Sequence, residues 1–160
     1  MRAGLVLIAG LSLVAPSMPM VTSISQSSEE VNDLVNVLVG KGFEIRFELP
    51  PTKGVYGQFD RKTRTLWISP IAFELGIARH TFLHEATHAA QSCPSGVLTP
   101  IGWELPLEAV VRNEIAGITY MHYSSVDQVL EREAFALQGQ PNAVNLLIKA
   151  LEQRCINSTP

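Results

Sequence analysis

Hydrophobic and polar positions follow two periods along this chain, and the switches between them mark out its elements. In residues 29–39, Val31, Leu34, Val35, Leu38 and Val39 recur at helical spacing, Ser28 can cap the start and Gly40 ends the run. Residues 43–49 change to alternation, with Phe43, Ile45, Phe47 and Leu49 set against Glu44, Arg46 and Glu48, which is the pattern of a half-buried strand. After the turn Pro50-Pro51-Thr52-Lys53-Gly54, residues 55–59 and 65–69 read as two arms of a hairpin around Asp60-Arg61-Lys62-Thr63, and Pro70 stops the second arm. Residues 71–91 return to helix, a short piece and then a longer one after Gly76. A loop over 92–100, with Pro94, Gly96 and Pro100, leads to helical stretches over 107–121 (weakened by Gly117), 126–138 and 142–154. Gly139-Gln140-Pro141 separates the last two, and Val144, Leu147, Ile148 and Leu151 form the final apolar stripe. The order predicts an α+β fold: a small three-stranded sheet packed on the helix after Gly76, followed by two or three further helices. Strand 65–69 is expected at the edge of the sheet beside that helix, where an extended peptide could pair with it.

The helix after Gly76 carries His84-Glu85-Ala86-Thr87-His88, an H-E-x-x-H motif. Histidines four apart on a helix point the same way, so both imidazoles can reach one metal ion from adjacent turns. Glu85 lies beside them and can act as general base toward a metal-activated water. Leu83, His84, Thr87, His88 and Gln91 form one stripe and Ala86, Ala89 and Ala90 give small packing faces, which sets the ligands on the semi-buried side of an amphipathic helix. Gln91, one turn past His88, can line the cleft or support a ligand.

Composition narrows the setting. At 160 residues the chain makes one domain with room for a core. A formal net charge of −3 with no run of like charge gives no basic surface, so nucleic acid is not an expected partner. The first 25 residues read as a secretory signal peptide: Met1-Arg2, an apolar run from Ala3 to Ala15, then Pro16, Ser17 and Pro19 and a small polar stretch. About thirteen apolar residues are short for a membrane span, so the expected product is secreted or periplasmic, with the domain over 29–157. Cys93 and Cys155, an even pair in an exported chain, can form a disulfide closing a long loop, or remain as two buried thiols. The disulfide would contribute about 3–5 kcal/mol in the chain-entropy model.

Two histidines leave a catalytic zinc site one protein ligand short. A third histidine six residues after His88 would fall on Pro94, so the extended H-E-x-x-H-x-x-G-x-x-H pattern fails. The best source is Glu131-Arg132-Glu133-Ala134-Phe135-Ala136-Leu137-Gln138, where Glu131, Ala134, Phe135 and Gln138 share a face and Glu131 can point inward. Glu133 is turned about 200° away, so only one of the two can ligate, and the other is expected as an exposed charge pairing with Arg132 or a neighbour. Tyr120, His122 and Tyr123, after the helix over 107–121, are candidates to stabilise an oxyanion or else pack on the surface or in the core.

His84-Glu85-x-x-His88 followed by Glu131-x-x-Ala134 resembles the zincin metallopeptidases of the gluzincin type, in which a glutamate on a downstream helix is the third ligand. The run His-Glu-x-x-His-Ala-Ala-Gln-x-Cys over 84–93 also resembles short, exported, uncharacterised bacterial proteins classed as metallopeptidases. The resemblance covers roughly Phe43 to Pro141 and implies a zincin-like fold, Zn2+ as cofactor, His84, His88 and Glu131 as ligands, Glu85 as base, and a peptide or protein as substrate. One departure stands out: several related families place Asp or Asn four residues after the glutamate to support a histidine, and here that position is Phe135. Two rival readings remain at this level: a non-catalytic exported binding protein retaining a structural zinc site, and a metal-free domain with a fortuitous motif.

Overall fold

The computed structural model describes residues 20–122 and 127–156. Helices and strands follow the predicted order: α1 Met20–Gly40, β1 Glu44–Arg46, β2 Gly57–Asp60, β3 Thr65–Ile68, α2 Pro70–Glu74, α3 Ala78–Gln91, α4 Ala109–His122, α5 Asp127–Gln138 and α6 Ala143–Arg154. This is an α+β arrangement with a small three-stranded sheet. No helix of the described residues is long and apolar enough to cross a membrane.

The first helix is longer than expected. It begins at Met20, so Ser28 lies inside it rather than at its start. Between Pro19 and Gly40 the sequence holds neither proline nor glycine, and no residue there stops a helix. The proposed signal peptide lies outside the described residues up to residue 19, and its last six positions, 20–25, belong to α1. Leu34 and Leu38 are fully buried, whereas Val39 is turned to solvent.

Sheet order is β1-β3-β2, with β1 parallel and β2 antiparallel to β3. The strand expected at the edge, β3, is therefore the central one, and it buries Thr65, Leu66 and Ile68. The two edges are β1 and β2, and β2 is the one that packs on α3. The first strand is also shorter than its alternation suggested, stopping at Arg46 opposite Trp67. Pro70 turns the chain into α2, with Ser69 Oγ accepting the Ile71 N–H, and strand pairing stops before Phe47 and Leu49. Both are exposed, and Phe47 meets Phe73 of α2 edge-on. Arg64 pins the hairpin to the end of α1 by donating to the Lys41 and Gly42 carbonyls at 2.7 and 3.2 Å, with its guanidinium over Phe43.

The central element is α3, which packs against β2, β3, α5 and α6. Its sequence reads as one-sided, yet residues 85–91 are all buried. Ala86, Ala89 and Ala90 have no exposed surface, because small side chains let α5, α6 and the sheet approach from several directions. Thr87 tolerates burial by donating its hydroxyl to the Leu83 carbonyl at 2.9 Å. Gly76, at φ 70°, makes the left-handed turn that ends α2 and re-aims the chain into α3.

Behind α3 the C-terminus is stapled. Cys93 and Cys155 form a disulfide with Cα atoms 5.0 Å apart. Next to it, Arg154 donates to the carbonyls of Ala90, Cys93, Thr99 and Pro100 and to Thr99 Oγ1. One guanidinium thus serves both the open carbonyl end of α3 and the loop that follows.

Candidate metal centre

Successive turns of α3 aim His84 and His88 across a gap toward α5, where Glu131 faces them. The Nε2 atoms lie 3.1 Å (His84) and 3.4 Å (His88) from the two Glu131 oxygens and 3.2 Å from each other. These three residues form a group able to hold a metal ion, with ligand atoms within 4.8 Å of one another. Of the two glutamates weighed from sequence, Glu131 is the one in this cluster.

Each imidazole is held from behind by a glutamine. His88 Nδ1 lies 2.8 Å from Gln91 Oε1, and His84 Nδ1 lies 3.1 Å from Gln138 Oε1. The position four after Glu131 does not supply this support; Phe135 instead packs its ring edge-on against His84, centroids 4.7 Å apart. The support comes from amides one turn past His88 and two turns past Glu131.

The hydrogen-bond pattern bears on what fits. Gln91 Nε2 donates to the Leu130 carbonyl at 3.0 Å and to Glu133 Oε2 at 2.8 Å, so its amide cannot be turned over. Its oxygen therefore faces His88, whose Nδ1 must carry the hydrogen, and the Nε2 lone pair points to Glu131. With Gln138 Oε1 facing His84 Nδ1, two imidazole lone pairs and a carboxylate converge with no donor among them. Such a constellation needs protons or a cation at its centre.

Charge states follow from the setting. Burial is the largest single influence on Glu131 and raises its pKa, but hydrogen bonds and charge from His84 and His88 outweigh it and hold the group at about 2. Burial pulls His88 down; the Glu131 hydrogen bond, the Glu85 and Glu131 charges and Gln91 together carry it above 6.5. Glu85 moves upward because burial dominates, only partly opposed by His84 and His88. It is 7% exposed, and the Phe59 backbone N–H favours its ionised form.

Compared with protein-family models, curated proteins and solved structures, the chain matches none. The site itself must carry the functional reading.

Beside the cluster is a cleft of about 250 Å³ lined by Gly57, Gln58 and Phe59 of β2, His84, Glu85 and His88 of α3, Leu98 and Glu131. The Ser69 N–H bonds to the Tyr56 carbonyl, and hydrogen-bonded pairs alternate along an antiparallel ladder. Gln58 and Asp60 therefore pair with β3, while the backbone groups of Gly57 and Phe59 face the free edge and the cleft. Gly57 is the residue that sequence reasoning missed. A Cβ there would sit 2.5 Å from Thr81 Cγ2 and 2.6 Å from Glu85 Oε1, so only glycine lets the edge strand lie against the α3 carboxylate. A glycine inside a strand pattern is itself a sign of close backbone approach, and could have pointed to it.

Other expectations need correction. Glu133 is neither a ligand nor an exposed partner of Arg132. Its carboxylate accepts the backbone N–H groups of Ile101 and Gly102, at 2.8 and 2.7 Å, besides Gln91. Arg132 bonds instead within its own helix, to the Gln128 carbonyl. Tyr120 is 79% exposed on α4 and does not line the cleft, because α4 packs on α5 rather than on α3. The His122 side chain and Tyr123 lie outside the described residues.

Proposed function

We propose that this protein is an exported zinc-dependent metallopeptidase of the zincin type, with His84, His88 and Glu131 as ligands and Glu85 as general base. The observation that carries the reading is the convergence of His84 Nε2, His88 Nε2 and the Glu131 carboxylate, beside a buried glutamate in an open cleft. A His2Glu donor set suits zinc, and three protein ligands leave a position free for catalysis. Bound there, zinc supplies Lewis acidity toward a peptide carbonyl and toward water.

The chain's own residues do the rest. Glu85 takes a proton from water onto its carboxylate and delivers it to the leaving nitrogen. Along the opposite wall, the outward backbone groups of Gly57 and the Phe59 carbonyl can pair with an extended substrate, while the Phe59 N–H stays with Glu85. A second cavity of about 380 Å³, lined by Gln58, Phe59, Leu98 and the hairpin residues Asp60, Arg61 and Lys62, adjoins the cleft. Export is supported by the leader-like N-terminus and by the disulfide, which persists in oxidising compartments.

Digestion of a broad peptide library by the purified protein tests the proposal. Cleavage that stops with a chelator and returns with added zinc is expected. A zinc-loaded, folded protein that cuts no peptide, or cleavage indifferent to chelation, would contradict it.

A further inference from the structure

We infer that Glu133 is a positioning residue for the metal centre, acting on His88 through Gln91 and tying that histidine to the loop at Ile101 and Gly102. This rests on the metal-centre reading and extends it to a residue that cannot itself reach the ions or substrate.

The Glu133 carboxylate collects three donors: Gln91 Nε2 at 2.8 Å, Ile101 N at 2.8 Å and Gly102 N at 2.7 Å. Gln91 is fully buried and has spent its amide hydrogens on Glu133 and on the Leu130 carbonyl. Turning that amide over would set its oxygen against two other acceptors, so Glu133 together with the Leu130 carbonyl fixes which end of Gln91 faces His88. The fixed oxygen selects the Nδ1–H form of His88 and leaves Nε2 for the ion. Donation to a carboxylate is stronger than to a neutral oxygen, which suits a residue with three donors to hold.

The same network sets the loop. Thr99 N–H bonds to the Gln91 carbonyl at 3.0 Å, and Leu98, one residue earlier, lines the cleft. Glu133 thus couples one wall of the cleft to one ligand. His84 is supported differently: Gln138 faces its Nδ1, and among the described residues the Gln138 amide nitrogen meets no acceptor. His88 is the locked ligand of the pair.

The test is zinc affinity by competition with a chromophoric chelator, together with the His88 Nδ1–H proton resonance in the zinc-loaded protein. Glu133→Met should weaken zinc binding roughly 10- to 100-fold and speed solvent exchange of the His88 Nδ1–H resonance while that of His84 is unchanged. Glu133→Gln, which keeps one acceptor oxygen, should fall between and serves as the test if the Met variant does not fold. Thr99→Val loosens the loop from the Arg154 side, where its hydroxyl accepts at 2.6 Å, and should leave affinity unchanged. Wild-type affinity in the folded Glu133 variants would overturn the inference while the metal centre stands. Equal weakening by Thr99→Val would also overturn it, since loop loosening alone would then suffice. A wild-type protein that binds no zinc would remove the metal centre and the inference together.

Discussion

The two walls of the cleft are made by opposite means. The helical wall, α3 with α5, presents His84, Glu85, His88 and Glu131, and backs both histidines with glutamine amides. The strand wall, β2, presents backbone and one absent side chain at Gly57, against which the Glu85 carboxylate lies. One wall is specified by which side chains are present, the other by where a side chain is missing. The helical wall tolerates few chemical changes, and the strand wall tolerates few changes of volume.

Substitutions can separate these two kinds of specification. The largest effect is expected at Glu85. Glu85→Gln keeps shape and leaves His84, His88 and Glu131 in place, so zinc should stay bound while peptide hydrolysis falls by about 10²–10⁴-fold. Undiminished hydrolysis in that variant would remove the base from the helical wall. If neither form hydrolysed peptide while both bound zinc, the exported binding protein would be the better reading. Next comes the brace behind α3. Replacing both cysteines with alanine opens a crosslink spanning 62 residues and should cost about 4 kcal/mol in the chain-entropy model, read from denaturant midpoints.

At the strand wall, Gly57→Ala forces β2 away from Thr81 and Glu85 and should cost about 1–3 kcal/mol through overpacking. Its particular signature is a drop in activity with zinc affinity unchanged, because the base is displaced and the ligands are not. Loss of affinity in Gly57→Ala would show that the walls are not independent.

The smallest effect is in pH dependence and belongs to the helical wall alone. In zinc-free protein, Glu131 titrates at about 2 instead of 4.5, so its stabilisation is present above 4.5 and is lost as pH falls toward 2. His88 is raised above 6.5, so its contribution is complete below 6.5 and is lost as pH rises through its folded value. Glu85, also raised, acts in the same direction as His88. Because Glu85 begins to lose its contribution already at 4.5, urea midpoints of chelated protein should peak near pH 4.5 and fall above it, more steeply past 6.5. Saturating zinc should reverse the upper limb, since the ion needs deprotonated ligands. An upper limb unchanged by zinc would detach these groups from metal binding.

Much of the helical wall was legible in the sequence because its signals are local. H-E-x-x-H sets two histidines on adjacent turns by helix geometry, and Glu131 follows from the face it shares with Gln138. Even there the second layer was hidden. Glu133 looked like a solvent charge because its partners include backbone N–H groups of a loop, and backbone donors leave no trace in residue type. The alanines of α3 read as one packing face, whereas burial on several sides depends on elements distant in sequence. The sheet was less legible for the same reason. Alternation marked the strands, but it could not say that β3 pairs on both sides or that pairing of the first strand would stop at Arg46. Edge and centre are properties of pairing, and pairing is not local.

Zinc content of the purified protein, after incubation with the ion and exhaustive dialysis, is the most direct measurement. One zinc per chain in the wild type and almost none in Glu131→Ala, with both proteins folded, is the predicted result. Negligible zinc in the wild type, or equal zinc in both, would contradict a centre built from His84, His88 and Glu131.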